Sequence, residues 1–575
     1  MKQIALLAAL LAALSVAGNA GATPAAAAFA ARSPQQQVDA LFARWNHPGM
    51  PGAVVGVIRD GKVVLSKSYG MADIERKVPM SAQTVFTVGS NSKQFTAFSI
   101  HLLAQDGKLS LDDDLRTWLP EVPDFGQPIT IRHLLHHTSG LRDYFLLSLL
   151  IGWRSDDVIT QDDAMALVRR QRTLNFAPGQ EYLYSNTGYM LLAQVVERAS
   201  GKPLAEFARE RIFEPLGMKH TRFLHGYGTL VPARALSYVP SEEGGYRYMA
   251  VGDSADGAGG LVTTLGDLAL WDRNFYDGRV GGMALVARMQ AVGVLNNGKP
   301  IEYASGLLVD VHRGRRMVEH GGSINGFQAQ LSRFPDQHCS VVVLSNAADL
   351  DIYRTVRSIA DIYLDPQLPA APAPPQAPPR VFKEVALDPA RLDALAGFYA
   401  LSPDQGIDFT KENGRLMARA SGQPKIPVFA YGERDFFAKG FDAQFTFDAP
   451  GADGIVASGV LHRGGSDTPA RRVARPRRSA EEMRKFTGDF YSDELQTVYS
   501  VAFDKGELML NTSRGAIPLE DDGKGGFAAT FPFGDIRYQC GAQALCSGFT
   551  VNNERARNVQ FIRLVLGTPP LARAD

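Results

Sequence analysis

Cysteine is nearly absent from this chain: 575 residues contain three. That excludes a fold stapled together by disulfides, and no Cys/His spacing offers a zinc site. Cys540 and Cys546 are close enough along the chain to bridge in an oxidising compartment, whereas Cys339 opens an apolar stretch and reads as a packed thiol. Net charge is also absent, with 60 basic side chains against 60 acidic ones. A balanced chain has no general attraction for a polyanion, so no nucleic-acid partner is expected. The local exception is the basic run Arg471, Arg472, Arg475, Arg477 and Arg478 around Pro476, which reads as a solvated linker. Beyond the N-terminus no apolar run is long enough to span a bilayer, so no stable membrane insertion is expected.

The N-terminus carries an address. Lys2 precedes an apolar run from Ile4 to Val16, and small residues follow, so that cleavage after Ala20 or Ala22 would suit a signal peptidase. Residues 1–22 are read as a signal peptide and the mature protein as periplasmic or secreted. What remains is too long for one core. The run PQLPAAPAPPQAPPR, within residues 365–381, is the clearest boundary and predicts an extended linker. Before it, over 38–364, strand-like Ala53–Ile58 and Val63–Ser68 flank the turn Asp60-Gly61, and strands return at Gly306–Val311, Phe327–Phe334 and Ser340–Ser345. Helical patterns fill the middle, one starting near Ser90 with Phe95, Phe98, Leu102 and Leu103 on one face and Gly107 at its end. Strands first and last with helices between predict an α+β domain: one antiparallel sheet with a helical insertion. After the linker a repeat near 91 residues relates Leu395-Ala396-Gly397-Phe398-Tyr399 to Phe486-Thr487-Gly488-Asp489-Phe490, and Phe436 to Phe527. It predicts two small antiparallel β-barrels, over 382–476 and 477–568.

Three constellations carry chemistry. Ser90 and Lys93 in Gly89-Ser90-Asn91-Ser92-Lys93 form the chain's single Ser-x-x-Lys. A serine hydroxyl needs a nearby base, and at the start of a helix this spacing stacks the two side chains while the helix N–H groups favour charge developing at Ser90. Tyr184-Ser185-Asn186 is the single Tyr-x-Asn; a phenol near an ammonium is a candidate proton acceptor, and Asn186 a donor to a substrate carbonyl. His320-Gly321-Gly322 ends a strand-like run, with glycines where a substrate backbone can lie close. His312 and His462 also head His-x-Gly triplets, so context alone selects His320. His133, His136 and His137 look like metal ligands by spacing, but no carboxylate accompanies them and helix packing is the expected role. No metal and no cofactor are expected.

Taken in order, Ser-x-x-Lys, Tyr-x-Asn and His-x-Gly resemble the serine hydrolases related to class C β-lactamases, DD-peptidases, bacterial esterases and D-aminopeptidases. Ile129-Thr130-Ile131-Arg132-His133-Leu134-Leu135-His136-His137-Thr138-Ser139-Gly140-Leu141, Pro215-Leu216-Gly217-Met218 and Ala258-Gly259-Gly260-Leu261 look like segments of the same family, so that the resemblance spans about 38–364. It implies a β-lactamase/penicillin-binding-like catalytic domain in which Ser90 is acylated, Lys93 and Tyr184 shuttle its proton, the N–H groups of Ser90 and Ser323 hold the oxyanion, and Asn186, His320 and Gly322 line the substrate cleft. β-Lactamases and most DD-peptidases usually carry lysine where His320 stands; histidine resembles D-aminopeptidases, as does a catalytic domain followed by two barrels. In that group a loop of the last barrel reads the substrate's amino terminus, which implies a carboxylate there; Asp521, Asp522 and Asp535 are the candidates. The expected function is hydrolysis of small amides or peptides, including those with D-amino acids. The alternatives are a carboxylesterase, a β-lactamase or DD-carboxypeptidase, and a non-catalytic cell-wall or partner binder with a relic site.

Overall fold

The structure is a computed structural model that describes residues 32–364 and 382–565, apart from gaps of at most three residues. The expected signal peptide and the proline-rich run lie outside the described residues. Helix α1 (Pro34–Leu41) leads into strands β1 (Ala53–Arg59) and β2 (Lys62–Tyr69), joined by a turn in which Asp60 and Gly61 both have positive φ. Two long helices follow, α2 (Lys93–Gln105) and α3 (Asn186–Ser200), among shorter ones. The chain then returns to strands β3 (Leu308–His312), β4 (Arg315–Ile324), β5 (Phe327–Phe334) and β6 (Cys339–Ser345), and closes with helix α4 (Ile352–Leu364).

These six strands form one sheet of order β3-β4-β5-β6-β1-β2, antiparallel throughout. The first and last strands meet, Ala53 opposite Ser345 and Arg59 opposite Cys339. β1 is apolar on both faces because both are covered. Val55 and Val57 pack with Val341, Val343, Val356 and Ile359 on the side of α1 and α4, while Val54 and Ile58 join Val342, Leu344 and Leu265 on the side of the helical insertion. Each such aliphatic side chain taken out of water contributes about 1.5–3 kcal/mol.

The sequence assigned α2 a single apolar face, but every residue from Lys93 to Leu103 is buried. The helix lies at the centre, with Phe95 and Phe98 against Trp271 at ring distances of 4.5 and 5.1 Å. Its polar residues are therefore enclosed, and each finds a partner, as burial demands. Gln94 Oε1 accepts from Trp271 Nε1 at 2.6 Å, Thr96 Oγ1 donates to Gly257 O at 2.9 Å, and His101 Nε2 meets Ser305 Oγ at 2.9 Å.

Beyond the linker stand two closed barrels of eight strands, one running from Gly397–Ala400 to Ser466–Val473 and the other from Gly488–Ser492 to Val559–Arg563. The 91-residue repeat is the barrel repeat: Gly397 and Gly488 open the first strand of each, and Phe436 and Phe527 lie in the fifth. Two members of the basic run are structural rather than solvated. Arg472 lies in a barrel strand and donates to Ala394 O, and Arg478 pairs with Asp521 at 3.1 Å. The barrels pack differently. The first has its own apolar cluster, whereas Phe486, Phe490 and Phe549 of the second belong to the same cluster as the helices α2 and α3. Cys540 and Cys546 are bridged, and Cys339 is buried. No helix among the described residues is long and apolar enough to cross a membrane.

Candidate active site

Ser90 lies in the short 3-10 turn Gly89–Ser92 that runs into α2. The turn is tied to the sheet and the helical layer in sequence: Asn91 Nδ2 donates to His320 O at 2.7 Å, and Gln94 Nε2 to Asn91 Oδ1 at 2.5 Å. Strand β4 runs against it. The sequence ended this strand near His320, but the strand continues through Gly321, Gly322 and Ser323 to Ile324, because β5 pairs with it to the end. A Cβ on Gly322 would overlap Val88 O and stand 2.9 Å from both Ser90 N and Asn91 N, and one on Gly89 would stand 3.1 Å from Ser323 N. Two glycines thus bring the Ser90 and Ser323 backbone nitrogens to one place, where a developing oxyanion would be held.

Lys93 emerges one turn later, fully buried. Its Nζ donates to Ser90 Oγ at 3.1 Å, to Asn186 Oδ1 at 2.9 Å and to Ala258 O at 2.8 Å, three acceptors for the three N–H groups of an ammonium. The Tyr184 ring lies 4.8 Å from Nζ, and its phenol is close enough to the Ser90 side chain for the two to influence one another. Burial pushes that phenol well above its ordinary value, against the opposing pull of the Ser90 side chain and of the Arg555 charge. A hydroxyl, an amine and a phenol from two distant parts of the chain therefore converge, with Asn186 beside them.

The family model described as Beta-lactamase matches residues 37–362. The chain belongs to the β-lactamase family of serine hydrolases. The penicillin-binding protein 4* of Bacillus subtilis is 30% identical over 428 residues, covering 72% of this chain and 93% of that protein. The D-aminopeptidase of Brucella canis is 28% identical over 487 residues, covering 82% and 83%. Among solved structures, the octameric penicillin-binding protein homologue from Pyrococcus abyssi shares the fold at a TM-score of 0.53 and 21% identity, covering 84% of this chain and 98% of its own.

The β-lactamase-family site also contains residues that sequence reasoning did not reach. Asp143 is fully buried and accepts three backbone N–H groups: Oδ1 accepts from Phe145 N and Leu146 N at 3.0 and 3.2 Å, Oδ2 from Asn186 N at 2.7 Å. One carboxylate thereby caps a helix and fixes the start of α3 where Asn186 meets Lys93. The N-cap position before Tyr144 was a legible signal; its second bond, 43 residues away, was not. His137 sits at positive φ with its ring 4.4 Å from those of both Tyr184 and Tyr303. Its Nδ1 accepts from Ser185 N at 3.1 Å, and burial, then the Lys93 charge, hold it neutral. The other two histidines of the triplet are apart from it: His133 Nδ1 accepts from Thr130 N at 3.1 Å, and His136 packs beside Gly293. Among the described residues no three His, Cys, Asp or Glu side chains are placed to hold a metal.

His320 is more enclosed than a cleft residue. Its Nδ1 lies 2.6 Å from Gly321 O and its Nε2 2.9 Å from Tyr303 Oη, so Nδ1 carries the proton and Nε2 accepts. Burial, then the Lys93 charge, lowers its pKa to about 3, and it offers a substrate no positive charge. The three carboxylates expected to reach the cleft from the last barrel are paired with arginines instead. Asp521 pairs with Arg478, and Asp522 and Asp535 with Arg537. The barrel residue that reaches the site is of opposite sign: the Arg555 guanidinium carbon lies 4.9 Å from the centre of the Tyr184 ring.

Proposed function

We propose that this enzyme hydrolyses small amides and peptides through an acyl-enzyme on Ser90. The observation that carries the reading is the placement of Lys93 Nζ 3.1 Å from Ser90 Oγ with the Tyr184 ring 4.8 Å from that same nitrogen. Lys93 and Tyr184 are close enough to titrate as one unit, and the unit with one proton removed is the base. Ser90 Oγ attacks the carbonyl carbon and its proton passes to the pair; the oxyanion lies between the N–H groups of Ser90 and Ser323. The C–N bond then breaks as the pair returns that proton to the leaving nitrogen. Water attacks the ester in turn, giving its proton to the pair, and the ester C–O bond breaks with protonation of Ser90 Oγ. Asn186, whose Oδ1 is engaged by Lys93, is left with its amide N–H groups for the substrate carbonyl.

Amide hydrolysis agrees with the activity named for the Brucella canis relative, and D-amino-acid-containing peptides are the substrate class that this name suggests. Export is proposed on the strength of Lys2 and the apolar run Ile4–Val16. The test is a fluorophosphonate or labelled-penicillin adduct. Mass spectrometry should locate it on Ser90, and Ser90→Ala should take no label and turn over no substrate. A folded parent protein that takes no label would favour the binder with a relic site.

A further inference from the structure

The loop Asn553–Arg557 of the last barrel is built to hold one side chain in place. Asn553 Oδ1 accepts from Arg555 N at 3.0 Å and Ala556 N at 2.7 Å, its Nδ2 donates to Pro532 O at 2.8 Å, and Ala556 is fully buried. The loop is also docked on the catalytic domain. Arg555 O accepts from Asp143 N at 3.2 Å and from Asn175 Nδ2 at 3.1 Å, and Arg557 N donates to Asn175 Oδ1 at 2.8 Å. Asp143 is the residue that fixes Asn186, so the loop and the catalytic cluster share an anchor.

The guanidinium presented there is uncommitted. Arg557, two residues on, pairs with Glu181 at 3.0 Å. Arg555 lies over the Tyr184 ring, and among the described residues its side chain makes no hydrogen bond and has no carboxylate within 4.0 Å. The charges of the Ser90 cluster itself are engaged. All three donors of Lys93 are used, the Asp143 carboxylate accepts three backbone N–H groups, and His137 and His320 are neutral. An Arg held half-exposed, with five unused donors in a fork that fits a carboxylate, is a receptor for an anion. Its side is set by its neighbour: the Lys93–Tyr184 pair delivers the proton to the leaving group, and Arg555 rests on that same phenol ring.

We propose that Arg555 is a specificity-determining residue which receives a carboxylate on the leaving-group side of the substrate, so that the last barrel selects anionic substrates. This rests on the Ser90 acyl-enzyme reading and reverses the charge implied for the substrate by a carboxylate-bearing loop. Glu554, the exposed neighbour, is the group that would serve a cationic substrate instead.

The test compares acetylglycyl esters of 3-hydroxybenzoate, 3-hydroxybenzamide and 3-(aminomethyl)phenol on the full-length enzyme. The parent should prefer the carboxylate over the carboxamide ester by about ten- to hundred-fold in kcat/KM, carried mainly by KM, the size expected of one charge-assisted contact. Arg555→Gln should bring that ratio close to one, and Arg555→Lys should keep part of it. Equal rates for carboxylate and carboxamide esters in the parent would overturn the proposal, as would a preference for the amine ester. So would an Arg555→Gln enzyme that keeps the ratio while kcat falls for all three esters and the alkaline limb of its pH profile moves upward; that pattern belongs to a residue that tunes Tyr184. Fluorophosphonate labelling separates the two readings: an adduct on Ser90 without charge preference refutes only the role of Arg555, whereas no adduct and no turnover refute the hydrolase reading itself.

Discussion

Gly322→Ala tests whether backbone placement, and not side-chain chemistry alone, makes the site. Position 322 carries no catalytic group, yet an added methyl would overlap Val88 O and stand 2.9 Å from Ser90 N and Asn91 N, where ordinary contact begins at 3.4 Å. These are backbone atoms in the turn that holds Ser90, and they cannot swing aside as a side-chain end can. Strand β4 must withdraw by at least 0.5 Å from the nitrogens and further from the oxygen, on the order of 1 Å in all. Ser323 N–H moves with it, away from the oxyanion. A displacement of that size costs about 100-fold in rate, and the overpacking itself about 1–3 kcal/mol in stability. Gly321→Ala is the control. Its methyl points to the other face of the sheet and would meet side-chain atoms, Gln330 Oε1 and the exposed Tyr353 ring, rather than the backbone of the turn that holds Ser90. Pre-steady-state labelling of Ser90 by a fluorophosphonate, with thermal unfolding alongside, measures both quantities. Gly322→Ala should acylate about 100-fold more slowly with a modest fall in Tm, and Gly321→Ala should acylate close to the parent rate. A Gly322→Ala enzyme within threefold of the parent would refute the claim that β4 sets the oxyanion geometry.

Lys93→Met, which removes one member of the proposed proton-accepting pair, should lower acylation by about 10²–10⁴-fold; retained rates would mean that Tyr184 suffices. Acid should destabilise the catalytic domain through its buried histidines. His101 and His320 are held near pKa 3 and His136 near 4, against an ordinary 6.5, all by burial first. Because the folded values are depressed, the unfolded chain binds more protons below pH 6.5, so this stability is present above pH 6.5 and lost as pH falls toward 3–4. Each group contributes about 1.4 kcal/mol per pH unit in that window, about 4 kcal/mol per unit for the three; urea midpoints that stay flat from pH 7.5 to 5 would refute it. Arg142, fully buried, lies 3.5 Å from Glu494 of the last barrel and donates to Arg557 O and Asn558 O. Arg142→Met should cost about 3–5 kcal/mol by leaving Glu494 buried without its partner, read as a lower Tm and faster proteolysis at the barrel junction. Deleting residues 381–575 should leave an aggregating fragment, since the second barrel shares the catalytic core's apolar cluster; a soluble fragment with parental kinetics would make the barrels appendages.

The sequence alone determined what depends on neighbours along the chain. The Asp60-Gly61 hairpin, the α+β order, the period of the barrels and the pairing of Ser90 with Lys93 all follow from spacing, because local periodicity decides which face a residue presents. It also named Tyr184 and Asn186, through a triplet whose two ends meet the same lysine. Only the tertiary structure decided what depends on enclosure and on distant contacts. It buried α2 on every side, carried β4 through the glycines past Ser90, and neutralised His320 by desolvation beside Lys93. It also set the sign of the charge that the last barrel brings to the site. Arg555 lies 371 positions from Tyr184 along the chain, and nothing in the pattern around either residue encodes that one will rest on the other. Their meeting follows from the docking of a whole barrel through Asp143 and Asn175, a matter of shape and backbone hydrogen bonding that local spacing does not express.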